Sequence, residues 1–169
     1  ISNYEIFVTN NAASWNTNIV LVNTNSIISN LPDGTNYWSV RDEDRMGWLS
    51  TWSITNVLVI DTTPPDQALL IAPLTSVLTN ATNVSFNWFA GTDSLSGVTN
   101  YELYLANSPS GWTTNLITPN TNTIISNLPE GTNIWFVRAI DHADWLGPWS
   151  STNILYIDTT GPSITLVSP

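Results

Sequence analysis

The sequence contains no cysteine and no lysine, and only three arginines stand against thirteen acidic side chains. The absence of cysteine excludes disulfides and thiol chemistry. The net charge of −10 argues against nucleic-acid partners, because almost nothing in the chain could neutralise phosphates. Only 9% of residues are charged although 42% are hydrophobic, so Asn, Thr and Ser must keep the surface soluble. Such a polar uncharged coat is typical of secreted and cell-surface β-proteins and predicts an extracellular or surface location.

Long apolar runs and helical periodicity are also missing. No stretch is long enough to span a membrane, and no signal peptide is recognisable. The only histidine, His142, falls in a predicted loop and is replaced by Arg45 in the repeat described below. No Ser-His-Asp set, glycine-rich phosphate loop or cluster with transition-metal spacing occurs. We therefore expect no enzymatic activity.

What the chain does contain is an internal repeat with an offset of 97 residues and no gap. Residues 1–72 overlay residues 98–169 with 36 identities in 72 positions, whereas 66–97 have no counterpart in the first copy. A period of this length matches one small domain. We expect an excerpt from a longer array, divided into an incomplete β-sandwich domain that lacks its first two strands (1–61), a complete domain with its entry linker (62–158), and a linker with the first strand of a following domain (159–169).

Apolar residues alternate with a period of two, as Tyr101, Leu103 and Leu105 do, and the nine tryptophans exclude disorder. Leu155 and Ile157 recur as Leu58 and Ile60, so these residues are expected on the buried face of the last strand of each copy. Turn residues recur every eight to twelve positions, as they do in sandwiches. The complete domain is predicted to be all-β, with strands near 67–72, 83–89, 99–106, 112–117, 121–127, 133–140 and 149–157.

Several segments together resemble the fibronectin type III or immunoglobulin-like repeats of bacterial surface proteins. They are Asp-Thr-Thr-Pro-Pro at 61–65, Phe-Asn-Trp at 86–88, Asp-Ser-Leu-Ser-Gly-Val at 93–98, the Leu-Pro-Glu-Gly-Thr segment within 128–139, and Trp-Ser at 149–150. The resemblance covers essentially the whole chain and implies tandem seven-stranded immunoglobulin-like (fibronectin type III-like) β-sandwiches. In that family a tyrosine often fastens the corner before the sixth strand. Asn36 and Asn133 occupy that position here.

Four aspartates are candidate ligands of Ca²⁺. In an immunoglobulin-like sandwich, the loops after the second and sixth strands lie at the pole where the linker enters. Asp93 is in the first of these loops, Asp141 and Asp144 are in the second, and Asp61 is in the linker. Ca²⁺ takes six to eight oxygen ligands and suits such a cluster at a domain junction. The alternative is that these are solvated loop acids, with Asp61 simply ending a strand.

Tryptophans raise a carbohydrate interpretation, since flat aromatic faces stack on sugars. Trp48 and Trp145 lie in the loop after the sixth strand and are the candidates for an exposed platform, although packing at a domain junction is the stronger alternative. Trp38 and Trp135 alternate with valines and are expected in the core. The remaining repeated pair is predicted to open the last strand and cover a sandwich edge; it comprises Trp52 and Trp149.

Two N-glycosylation sequons begin at Asn80 and Asn83, in the loop before the second strand. In a chain this rich in Asn and Thr, matches are also expected by chance. Glycosylation at these positions is therefore a prediction that rests on the motif alone.

The leading functional hypothesis is a structural segment of an extracellular repeat protein. End-to-end domains would form an extended stalk or filament whose partners are neighbouring repeats or subunits of the same protein, and the prolines of 61–65 would limit bending. The alternative is an adhesin or a glycan-binding accessory module of a secreted enzyme. A third possibility is assembly by strand addition, in which the tail 163–167 of one copy enters an apolar groove lined by Tyr4, Ile6 and Val8. A covalent array is favoured, because one donated strand cannot replace two missing ones.

Overall fold

A computed structural model describes residues 1–74, 76–108 and 110–167. Within these ranges the chain forms twelve β-strands and no helix, which confirms the all-β prediction. Accordingly, the described residues offer no helix that could cross a membrane. The chain divides into two compact units, Ile1–Thr63 and Pro64–Pro169. The three-part division predicted from the repeat stays a prediction, and the last two residues of its final segment, Ser168 and Pro169, lie outside the described residues.

The first unit contains one antiparallel sheet, with strand order β2-β1-β3-β4. Its strands are β1 (Asn3–Asn10), β2 (Trp15–Leu21), β3 (Gly34–Glu43) and β4 (Asn56–Ile60). Alternation along β1 sends Tyr4, Ile6 and Val8 to the same face. That face is the inner one, and no second sheet is seen opposite it among the described residues of the unit.

The second unit contains two sheets, with strand orders β10-β7-β5 and β6-β12-β11-β8-β9. Its strands are β5 (Leu69–Ala72), β6 (Val77–Thr79), β7 (Val84–Phe89), β8 (Val98–Ser108), β9 (Thr113–Thr118), β10 (Asn122–Ile125), β11 (Gly131–Asp141) and β12 (Asn153–Ile157). All seven predicted strands are present with shifted ends. The eighth strand, β6, pairs in parallel with β12. Three residues are too few to show a period of two, so the sequence did not reveal it.

The two copies share their pairing register. Ile6 lies opposite Val40 in the β1–β3 pair, and Leu103 lies opposite Val137 in the β8–β11 pair. Both pairs of positions differ by 97 residues. The first unit therefore reproduces the β9-β8-β11-β12 portion of the second unit.

The core of the second unit lies between its two sheets and is built around aromatic residues of β7. Phe86 meets Trp135 edge to face at a centroid distance of 5.1 Å, and Trp88 meets Tyr101 at 5.7 Å. Edge-to-face pairs of this kind stabilise beyond their buried area by about 0.5–1.5 kcal/mol each. The buried residues of this core are Ala68, Phe86, Trp88, Tyr101, Leu103, Leu105, Leu128, Trp135, Val137, Ala139, Leu155 and Ile157.

Two expectations about the last strand need correction. Leu155 is buried as predicted, but its counterpart Leu58 is 44% exposed because the first unit has no described second sheet to cover it. The last strand also begins at Asn153 rather than at 149. The Val137 amide donates to Ser150 Oγ (3.0 Å), and this side chain interrupts the backbone ladder ahead of the strand.

Candidate functional site

The outer face of the five-stranded sheet carries a charged and aromatic cluster. Arg138 Nε forms an ion pair with Glu102 Oε2, and the guanidinium carbon of Arg138 lies 4.3 Å from the ring centroid of Trp149. Asn115 Nδ2 donates to the other carboxylate oxygen of Glu102 (2.6 Å). Trp149 therefore packs on the sheet face ahead of the last strand, so the prediction that it opens that strand was wrong. The same arrangement recurs in the first unit with Glu5, Asn18, Arg41 and Trp52.

The ionisation of Glu102 follows from these contacts. Burial alone would raise the pKa of Glu102, but the hydrogen bonds from Asn115 and Arg138, together with the positive charge of Arg138, lower it below its ordinary value. In the first unit, hydrogen bonds from Arg41 and then Asn18 lower the pKa of Glu5. Both carboxylates are thus held ionised beside an arginine, in an arrangement suited to stabilising a sheet rather than to transferring protons.

A pair of buried asparagines fastens the corner before β11. Asn133 Nδ2 donates to the carbonyls of Pro129 (3.0 Å) and Gly131 (3.3 Å). Asn107 Nδ2 donates to Asn133 Oδ1 (3.1 Å) and to the carbonyl of Glu130 (3.1 Å). Gly131 has a φ of 101°, which explains the glycine of the Leu-Pro-Glu-Gly motif. This network occupies the corner before the sixth strand, and it recurs in the first unit with Asn10 and Asn36.

The segment that leaves each unit is tied back to the same corner. The Thr159 amide and hydroxyl both donate to Glu130 Oε1 (2.7 Å each), and the amide and hydroxyl of Thr160 donate to Asp158 Oδ1 (3.0 and 2.9 Å). In the first unit the Thr62 hydroxyl donates to both carboxylate oxygens of Asp33. The Thr63 amide and hydroxyl donate to Asp61 Oδ1 (3.0 and 2.8 Å). The exit path after the last strand is therefore held by hydrogen bonds in both copies.

Asp141, the last residue of β11, is a fully buried carboxylate, with 0% exposure. Its Oδ1 accepts hydrogen bonds from the amides of Ala143 (2.8 Å) and Trp145 (2.9 Å) and so caps the following turn. Its Oδ2 is buried and has no hydrogen-bond partner among the described residues. Half of this carboxylate therefore has a structural role, and the other half has none in the fold.

Asp93 lies beside it, in the loop after β7. Its Oδ1 accepts hydrogen bonds from the amides of Ser96 (2.9 Å) and Gly97 (2.7 Å), which shape the loop. A carboxylate oxygen of Asp93 lies within 4.8 Å of one of Asp141. The structure thus brings together two of the four predicted calcium ligands within the second unit.

The other two predicted ligands are Asp144 in the second unit and Asp61 in the first. Asp144 is exposed in the turn after β11 and has a φ of 64°. Asp61 follows β4 in the first unit, where its Oδ1 accepts from Thr63 as described above. Their participation in a metal site stays a prediction.

The predicted aromatic platforms both have accessible surface. Trp48 is 76% exposed and Trp145 is 45% exposed, each in the turn that follows the long central strand of its unit. Trp135 is fully buried in the core, whereas Trp38 lines the cavity described below. Trp48 therefore offers the larger accessible face for a ligand.

Both sequon asparagines lie on the surface. Asn80 and Asn83 are exposed between β6 and β7, and Asn83 Oδ1 accepts a hydrogen bond from the Asn127 amide (3.2 Å). Their glycosylation stays a prediction.

The inner face of the first unit borders an open cavity of about 610 Å³. Tyr4, Ile6 and Val8 line it, as expected from the sequence, together with Trp38 and Val40. Most of the apolar lining residues correspond, 97 positions later, to residues of the second unit's core. The complete apolar lining comprises Tyr4, Ile6, Val8, Leu21, Ile28, Leu31, Trp38, Val40 and Leu58. The cavity is thus the inner face of a sandwich without its opposite sheet.

Comparison with known proteins yields matches in structure only. No protein-family model matches the chain. No curated protein matches it either. Among solved structures, the FN1–FN3 domains of chicken CNTN1 match over 92% of this chain with a TM-score of 0.55 and 17% identity, and the chain spans 55% of that structure.

Two further solved structures are less similar. The 6th fibronectin type III domain of human fibronectin type III domain containing protein 3 matches over 63% of this chain and 98% of its own length, with 22% identity and a TM-score of 0.45. The fibronectin(III)-like modules of Clostridium thermocellum CbhA match over 93% of this chain and 78% of theirs, with 13% identity and a TM-score of 0.47.

Proposed function

Because the chain has the fold of fibronectin type III domains, repeated along one sequence, we propose that it is a structural segment of an extracellular or cell-surface repeat protein. Successive domains would join end to end into an extended stalk or filament. Its partners would be neighbouring repeats or subunits of the same protein. The polar, uncharged surface composition supports the extracellular location.

The observation that carries this proposal is the hydrogen-bonded exit segment. A flexible tether would leave the residues after the last strand free, but Thr62 and Thr63 are bonded to carboxylates of their own unit. Pro64 and Pro65 follow directly, and their fixed φ angles favour an extended backbone. A chain that leaves one domain in a set direction and continues through two prolines suits a stalk.

The remaining chemistry also fits a structural role. His142 uses Nδ1 and its backbone amide to contact the Gly97 carbonyl (3.0 and 3.1 Å), which links two loops. The ionised Glu102 is bonded to Arg138 on an outer sheet face. Neither residue is placed as a general base beside a nucleophile, and we propose that the segment is not an enzyme.

Distance measurements on the full chain test this proposal. The chain has no cysteine, so Asn16→Cys and Thr113→Cys, at equivalent exposed strand positions, accept one spin label in each unit. We expect double electron–electron resonance to give a narrow distribution of distances between the two spin labels. Replacing Thr62 and Thr63 with valine removes their hydroxyl hydrogen bonds and should broaden it.

The matched control is the same double change at Thr159 and Thr160, which follow the last strand of the second unit and should leave the distribution narrow. A broad distribution in the unmodified chain would contradict a stiff stalk. So would compact particles in negative-stain images of a multi-repeat chain.

The alternative function, an adhesin or a glycan-binding accessory module of a secreted enzyme, is favoured by one observation. Trp48 presents a largely exposed ring in a turn. Glycan-array binding by the chain that is lost on Trp48→Ala or Trp145→Ala would support it. Met46→Ala is the control, because Met46 is 82% exposed in the same turn as Trp48 and has no flat face to stack on a sugar. Binding that survives both tryptophan changes would reject the platform.

A further inference from the structure

The second unit contains a buried carboxylate oxygen that the fold itself does not use. Asp141 Oδ2 has no hydrogen-bond partner among the described residues, and the residue has 0% exposure. Removing an ionised carboxylate from water is costly unless a hydrogen-bond donor, a counter-charge or a metal ion compensates it. An unsatisfied buried polar atom of this kind is a common sign of an ion or a water molecule.

A second acid lies next to it. A carboxylate oxygen of Asp93 is within 4.8 Å of one of Asp141, so two like charges share a small region. Arg138 is the only arginine in the second unit, and it is ion-paired with Glu102 on the outer face of the sheet. His142 directs Nδ1 to the Gly97 carbonyl. These side chains of the unit therefore do not neutralise the pair.

Turn capping does not explain the burial of Asp141. The equivalent residue of the first unit, Asp44, caps the same turn by accepting at Oδ1 from the amides of Met46 (2.8 Å) and Trp48 (3.0 Å). Asp44 is nevertheless exposed to solvent. The first copy has no counterpart of Asp93, because residues 66–97 occur only in the second copy. Burial and the second carboxylate thus occur together in one unit and are absent together in the other.

We propose that Asp93 and Asp141 bind a divalent cation, and that the cation is Ca²⁺. Ca²⁺ binds carboxylate oxygens at about 2.3–2.6 Å, so two ligands of one ion are separated by at most about 5 Å. The separation of the two carboxylate oxygens, which is no more than 4.8 Å, meets this condition. The loop that carries Asp93 and the turn that begins at Asp141 also suit the irregular six- to eight-fold coordination of Ca²⁺ better than the strict octahedron of Mg²⁺.

The remaining ligands come from oxygen donors near the pair. Water and backbone carbonyls complete the shell in most calcium sites. The sequence also predicts Asp61 and Asp144 as ligands, and substituting each of them separately tests whether it contributes to Ca²⁺ binding. Binding through Asp93 and Asp141 joins the loop after β7 to the end of β11, which stabilises one pole of the sandwich.

Calcium titration of the full chain tests the site. Isothermal titration calorimetry with CaCl₂ should detect one ion per chain, and Ca²⁺ at about 1–10 mM, the range that saturates many extracellular calcium modules, should raise the melting temperature. Tb³⁺ should give luminescence sensitised by tryptophan, and Ca²⁺ should displace it. Asp141→Asn keeps the capping oxygen and removes the charge. It should weaken Ca²⁺ binding about tenfold or more, as should Asp93→Asn.

The matched control is Asp44→Asn, the same change in the equivalent turn of the first unit, and it should leave Ca²⁺ binding unchanged. If Asp141→Asn does not fold, Asp93→Asn and the unmodified chain still decide the result. Absence of binding heat and of any thermal shift in the unmodified chain would overturn the proposal. Equal affinity for Mg²⁺ would overturn the assignment to Ca²⁺, and unchanged affinity in Asp93→Asn would overturn the assignment of ligands.

Discussion

The buried asparagine pair gives the sharpest prediction for stability. Asn133→Ala removes two hydrogen bonds that Asn133 Nδ2 donates, to Pro129 O at 3.0 Å and to Gly131 O at 3.3 Å, and one that Asn133 accepts from Asn107 at 3.1 Å. A hydrogen bond typically contributes about 1 kcal/mol net to the free energy of unfolding, and the longer 3.3 Å hydrogen bond contributes less. The expected loss is therefore about 2–3 kcal/mol in the free energy of unfolding of the second unit. For a domain of this size this lowers the melting temperature by about 10–20 °C.

Urea unfolding of the full chain measures this loss, with backbone amides of β8 and β11 observed by NMR so that the signal reports on the second unit. Asn107→Ala and the double variant complete a cycle. Each single variant loses the Asn107–Asn133 hydrogen bond, and the double variant loses it only once. The free energy of unfolding that the double variant loses should therefore be smaller than the sum of the two single losses by about 1 kcal/mol. Asn36→Ala, at the equivalent corner of the first unit, is the matched control and should leave the β8 and β11 amides unaffected. A cost below about 0.5 kcal/mol for Asn133→Ala, or full additivity, would refute the reasoning.

Two further predictions concern charge and covering of the inner face. The folded pKa of Glu102 lies below its ordinary value of 4.5, so its ionised form stabilises the fold above that pH, and the contribution is lost as pH falls through the folded pKa. The Glu102→Gln variant should therefore lose less free energy of unfolding than the unmodified chain when the pH falls from about 5 to 3. The same pH dependence of the free energy of unfolding in both chains would contradict the Glu102–Arg138 pairing. Fusing a second copy of residues 64–97 ahead of Ile1 should close the cavity, abolish binding of a hydrophobic dye and slow hydrogen exchange in β1 and β3. The same fusion with Phe86→Asp and Trp88→Asp in the added copy only should neither abolish dye binding nor slow hydrogen exchange. Dye binding that persists in the unsubstituted fusion would contradict the equivalence of the two inner faces.

Much of the fold could be predicted because its signals are local or repeated. Alternation places Leu103 and Leu105 on one face of a strand, and the repeat transfers each assignment to the other copy. The core position of Trp135 followed from the same alternation. Strand β6 could not be found in this way, since its pairing with β12 depends on residues about 80 positions away and leaves no periodic trace.

The asparagine corner illustrates a different limit. The sequence placed Asn133 at the corner, but in a chain where asparagine covers the surface its partner Asn107 looks like any other polar residue until tertiary structure brings the two together. The clue available in the sequence was weak: both residues are retained in the first copy as Asn10 and Asn36. The position of Trp149 was missed for a related reason. Its ring packs against the guanidinium of Arg138, and the spacing of residues in the sequence does not encode such a tertiary contact.

The candidate metal site was partly accessible from the sequence. The order of loops in a sandwich was enough to bring Asp93 close to Asp141, and the structure agrees for that pair. Whether an aspartate is buried is a tertiary property, however. Asp44 and Asp141 occupy equivalent turns with the same capping contacts, yet only Asp141 is buried.

The uncovered inner face of the first unit has a consequence for how the chain folds. The strand pair β5 and β7 fits the inner face of its own unit, and the apolar face of the first unit has nearly the same residues in the same register. During refolding the two faces compete for one covering pair, which is the misassembly hazard of tandem repeats with similar sequences. Loop closure does not decide between the two faces, since eight residues separate the end of β7 at Phe89 from the start of β8 at Val98 and eight also separate the end of β4 at Ile60 from the start of β5 at Leu69. The balance between correct and swapped pairing therefore depends on keeping the β7–β8 connection short, and we expect that lengthening it with flexible residues would slow refolding by favouring the wrong pairing.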